Sequence, residues 1–103
     1  MKKILIAVFM VLVMVGMANA EANWRDTCRD LGGLAEVIMD SRQMGVPMAR
    51  LMAVISDEGG SQLTESLIID AYSVPRFRTE KMKKQAVADF REKVYLECVI
   101  ALR

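Results

Sequence analysis

The sequence predicts an all-α fold, a small bundle of about four helices closed by one disulfide. Three observations carry that reading. Apolar residues recur at helical spacing through most of the chain. Gly and Pro doublets and singlets divide the chain at intervals suited to short helix connections. The two cysteines, Cys28 and Cys98, fall on the apolar stripes of the first and last helical segments. No stretch alternates in the manner of a half-buried strand.

The last segment has the clearest period. From Thr79 to Leu102, Met82, Ala86, Phe90, Val94, Cys98 and Leu102 repeat every fourth residue, and Val87, Tyr95 and Ala101 widen the stripe. Thr79 suits an N-cap, because its hydroxyl can accept an orphan backbone N–H of the first turn. Glu80–Lys84 and Asp89–Lys93 are acid-before-base pairs four apart, each expected to add a few tenths of a kcal/mol.

Upstream, Trp24, Cys28, Leu31, Leu34, Ala35, Ile38 and Met39 form one arc of a helical wheel, opposite Arg25, Asp26, Arg29, Asp30, Glu36 and Asp40. Gly32-Gly33 interrupts that helix, as a kink or as a point of close helix approach, at about 1 kcal/mol per glycine. Gly45 and Pro47 are its stop signal. A second helix has Met48, Leu51, Met52 and Ile55 as its inner face and ends at Gly59-Gly60. Ser61 suits the cap of a third, with Leu63, Leu67, Ile68, Ala71 and Tyr72 inward. Val74 ends it, since a residue before proline is pushed out of the α region.

The first twenty residues are of another kind. Met1-Lys2-Lys3, an apolar run from Ile4 to Val15, and Ala18-Asn19-Ala20 read as a secretory signal cleaved after Ala20. The run is shorter than the roughly 20 apolar residues that cross a bilayer, so no stable membrane span is expected after cleavage. Residues 21–103 then form a single helical domain, periplasmic or secreted. Loss of Lys2 and Lys3 from 14 basic residues leaves 12, against 13 acidic. That balance lacks the basic excess of a nucleic-acid binder. Two cysteines in an exported chain are most simply one disulfide. A Cys28–Cys98 bridge closes a loop of about 70 residues, for which chain entropy gives roughly 4 kcal/mol.

Composition also removes most enzyme chemistry. The chain contains no histidine, so neither Ser–His–Asp nor Cys–His catalysis can be assembled, nor can a histidine metal site. Its glycine doublets lack the context of a phosphate loop. The adjacent acids Asp57-Glu58, beside a Gly-Gly turn, read as a solvated helix end. No catalytic residue, metal or cofactor is expected, and the chain is read as a non-enzyme.

Two clusters are candidates for binding. Met39, Met44, Met48 and Met52 lie close in sequence. Thioethers can ligate Cu(I), yet methionine is more often an adaptable filler, so Met44, Met48 and Met52 are read as an apolar partner surface. Arg76, Arg78, Lys81, Lys83 and Lys84 place five cations in nine residues, with Glu80 the sole acid among them. Cations near a helix N-terminus oppose its dipole, which marks the run as a candidate patch for an anion or an acidic partner as well as a solvated face.

Thr27-Cys28-Arg29-Asp30-Leu31, just after Trp24, resembles the start of mature HdeA-type periplasmic acid-stress chaperones. The plan of a signal peptide, fewer than a hundred mature residues, all helices and one disulfide is also similar. The resemblance implies a homodimer that loosens at low pH and shields unfolding proteins; without histidine the trigger would be carboxylate protonation. The expected function is thus a small exported binding protein of the cell envelope, of inhibitor, immunity or adaptor type, whose partner is another envelope protein. The alternatives are an acid-stress chaperone and an envelope factor anchored by an uncleaved signal.

Overall fold

The computed structural model describes the backbone of residues 2–57 and 59–103 and the side chains of residues 23–57 and 59–103. Four helices follow in order: α1, Lys2–Gln43; α2, Met48–Asp57; α3, Gln62–Tyr72; and α4, Glu80–Leu102. No strand occurs among the described residues. Cys28 and Cys98 form the disulfide, with Cα atoms 5.5 Å apart. The expected leader, residues 1–20, and its expected cleavage after Ala20 lie outside the described side chains. Among the described residues, no helix is long and apolar enough to cross a membrane.

The frame is an antiparallel pair of long helices. The disulfide joins α1 to α4 at one end, the Arg91–Glu36 ion pair (2.9 Å) crosses the middle, and Lys83 reaches the Gln43 carbonyl at the other. Ala35, Ile38 and Met39 of α1 and Ala86, Phe90 and Val94 of α4 are buried between and beside them. α3 adds Leu67, Ile68 and Ala71 to the same core, and α2 packs on α3 rather than on the long pair.

The caps follow the sequence. Thr79 Oγ1 accepts the Met82 N–H at 3.2 Å, and Ser61 Oγ accepts the Thr64 N–H at 3.3 Å. Gly45, at φ +87°, ends α1 in a Schellman turn: its N–H donates to the Arg42 carbonyl, and the Val46 N–H donates to that of Ser41. Helix α2 closes in the same way at Gly59, φ +77°.

Several inward assignments are corrected. Met82 and Leu102, the two ends of the four-residue row on α4, are exposed. At 3.6 residues per turn each step of four advances about 40° around the helix, so a row this long spirals off any single neighbour. Tyr95 and Ala101, beside the row, are exposed as well. Leu63 is exposed because α3 buries only its second half. Met48 is exposed and Leu51, Met52 and Ile55 only half-buried, because α2 meets one neighbour. Neither Glu80–Lys84 nor Asp89–Lys93 is among the ion pairs of the described residues; Asp89 instead accepts from Gln85 Nε2 at 2.8 Å.

Gly32-Gly33 does not interrupt α1, which is continuous through both. The two glycines differ in surroundings. A Cβ on Gly32 would lie 3.6 Å from Arg91 Cγ, ordinary contact at the α1–α4 crossing, whereas one on Gly33 would meet nothing within 4 Å. Gly33→Ala should therefore raise stability by about 0.5–1 kcal/mol through helix propensity. Gly45→Ala should lower it by about 1–2 kcal/mol, the left-handed penalty, because its Cβ would also sit 2.8 Å from the Arg76 guanidinium carbon. Urea unfolding of the two variants beside the parent checks both signs.

Candidate functional site: the groove at the end of the first helix

The last turn of α1 leaves carbonyls without intrahelical partners, and residues distant in sequence supply the donors. Arg76 Nε donates to the Gln43 carbonyl at 3.0 Å and its terminal nitrogen to that of Met44 at 3.3 Å. Lys83 Nζ donates to the same Gln43 carbonyl at 2.7 Å. These cations, unfavourable at the start of α4, thus sit at the negative end of the α1 dipole. Two members of the basic run are positioned by the fold in this way. Arg78, Lys81 and Lys84 are exposed.

The side chain of Gln43 is the hinge of this arrangement and was not legible as such in sequence. It is 1% exposed, the one buried polar residue among those described. Its Oε1 accepts the Phe77 N–H at 2.8 Å, and its Nε2 donates to the Pro75 carbonyl at 2.9 Å. The irregular connector 74–79 cannot pair its own backbone groups, so a buried amide does it for them. Arg42 Nε donates to the Val74 carbonyl at 3.1 Å and its guanidinium lies over the Tyr72 ring. Tyr72 donates its hydroxyl to the Val46 carbonyl at 2.6 Å; burial raises its pKa above the ordinary tyrosine value, with the Arg42 charge opposing. One signal for Gln43 was present: it continues the inner arc of α1 one turn past Met39, where an apolar residue would be expected.

Over this scaffold lies a groove of about 370 Å³, lined by Asp40, Gln43, Met44, Arg76, Glu80, Lys83, Lys84 and Val87. It brings together residues from both sequence-predicted clusters: Met44 from the methionines, and Arg76, Lys83 and Lys84 from the basic run. Met44 is 69% exposed at its edge. Met48 and Met52 belong to α2 and do not line the groove, nor do Arg78 and Lys81. A wider, shallower groove continues along α1 and α4 past Val87, Ala88 and Arg91 to Tyr95. The chain matches no family model, no curated protein and no solved structure.

Three cations and two acids surround apolar Met44 and Val87, so the lining favours an anion near Lys84 and an apolar group beside Met44. The flexible thioether of Met44 can adapt to the shape of what it meets. Among the described residues no group of His, Cys, Asp or Glu is arranged to hold a metal.

Proposed function

We propose that this protein is a small, exported, non-enzymatic binding protein of the cell envelope, of inhibitor, immunity or adaptor type. The partner is another envelope protein presenting an acidic group next to an apolar side chain. One observation carries the reading: Met44 from one candidate cluster and Arg76, Lys83 and Lys84 from the other, more than 30 residues away in sequence, line one groove held by Gln43, Arg76 and Lys83. A fixed groove lowers the ordering cost of binding. Export and cleavage after Ala20 form part of the proposal, and the buried disulfide is compatible with an oxidising compartment.

The test is capture from envelope extract by the oxidised protein, with Lys84→Glu and Met44→Asp as variants of exposed groove residues. The expected result is one stoichiometric partner at neutral pH, lost with either variant. Many weakly held clients only near pH 2–3 would support the chaperone alternative. Capture unaffected by both variants would remove the groove from the proposal.

A further inference from the structure

Helix α4 carries a second row, on the side turned away from the disulfide and from Arg91, with a charged pair at its centre and exposed apolar side chains at Met82, Leu96 and Ile100. Met82, Ala86, Asp89, Lys93, Leu96 and Ile100 succeed one another at spacings of four, three, four, three and four, the alternation of a coiled-coil seam. Leu96 and Ile100 are 58% and 73% exposed, and Met82 is exposed at the other end. Near the N-terminal half of the row lies a pocket of about 210 Å³ with Val74, Phe77, Ala86 and Phe90 as its apolar lining and Asp89 and Lys93 at its rim. Met82, Leu96 and Ile100 thus leave large apolar side chains open to solvent at seam spacing.

The row is complementary to itself when reversed. Turned end for end about the level of Arg91, it sets Met82 against Ile100, Ala86 against Leu96, and Asp89 against Lys93. Each match is favourable: apolar with apolar, small with large over the pocket, acid with base. We infer that a second copy of this chain docks antiparallel on the outward face of α4 through this seam, about a two-fold axis at the level of Arg91 on the opposite side of the helix. Such an interface is isologous, so every contact occurs twice. Leu96 of each copy enters the pocket beside Ala86 of the other, and the two Asp89–Lys93 pairs fix the register and oppose a parallel arrangement. Asp89 gives one carboxylate oxygen to Gln85, and Lys93 is in no ion pair among the described residues. Glu92, on the flank of the seam, comes nearest its own copy, where solvent screens the repulsion. The seam faces away from the groove between α1 and α4, so this pairing does not rest on the groove's partner.

Sedimentation of the oxidised protein across about 1 to 500 µM tests the pairing, over the range in which small interfaces associate. A monomer–dimer equilibrium is expected. Leu96→Glu should weaken it at least about tenfold while the helical signal and the disulfide persist, since Leu96 contributes nothing to the core. Asp89→Lys and Lys93→Asp should each weaken self-association, also about tenfold. Mixing those two variants should restore a dimer, because each then offers the charge that the other lacks, and the double exchange Asp89→Lys/Lys93→Asp should dimerise alone. A monomer throughout the concentration range would overturn the inference, as would association unmoved by Leu96→Glu or by the single charge reversals. A dimer that forms while no envelope partner is captured, or while capture ignores both groove variants, would count against the groove and leave the seam standing.

Discussion

Replacing Cys28 and Cys98 together by serine should lower stability by roughly 4 kcal/mol, the chain-entropy value for a closed loop of this length. The thermal midpoint should fall by on the order of 20 °C for a domain of this size. The structure explains why the end of the bundle depends on a covalent bond. Val94 is the last aliphatic side chain of α4 in the buried core; beyond it Tyr95, Leu96, Ile100 and Leu102 are all exposed. Among the described residues beyond Val94, the disulfide is the buried link between α1 and α4. Cys28 is fully buried and Cys98 nearly so, so reduction of the native protein requires local opening and should be slow under native conditions. The measurement is thermal unfolding of the double variant beside oxidised and reduced parent. A reduced parent that melts with the oxidised form would show that burial alone fixes this end.

Gln43→Leu should be the most damaging change of a single non-cysteine polar residue, at about 2 kcal/mol. It leaves the part-buried Phe77 N–H and Pro75 carbonyl without their side-chain partner, each at the lower end of the roughly 1–3 kcal/mol cost of an unsatisfied group. The leucine fills a similar volume, so the loss reads out hydrogen bonding rather than a cavity. The effect should spread to the connector 74–79, with faster amide exchange at Phe77 than elsewhere in the bundle. An unchanged unfolding midpoint, or exchange at Phe77 equal to that of the parent, would show that the connector is held by Arg42 and Arg76 alone.

Much of the fold was open to reading because its signals are local. Thr79 and Ser61 cap helices, Gly45 turns left-handed, and Val74-Pro75 stops α3, each through a preference that belongs to the residue and its near neighbours. The inner faces of α1 and α4 were legible in their central turns, where Ala35, Ile38, Met39, Phe90 and Val94 repeat at the helical period. The face of α4 differs at its ends, at Met82 and Leu102, and that of α3 at its start, at Leu63. Periodicity shows which residues share a face; it does not show how far the neighbouring helix extends along it.

The groove was legible only as fragments. The basic run stood out by its charge density, and its misfit with the α4 dipole marked it as unusual. What resolves the misfit is the C-terminus of α1, about 40 residues away in sequence. Arg76 and Lys83 are placed by α1 carbonyls, which have no sequence signature of their own. Gln43 passed unnoticed because a glutamine near a helix end is ordinary until a connector with unpaired backbone groups lies over it.

The sequence by itself determined the helices, their caps, their short connections and the two sulfurs available to close them, because hydrogen-bond capping and apolar period act within a few residues. The tertiary structure decided which face of α4 meets α1, that Gln43 is buried against the connector, and that Met44 and Lys84 share a groove. Those follow from how long rows spiral and where one helix ends against another, and contacts of that kind exist only once distant segments are packed together.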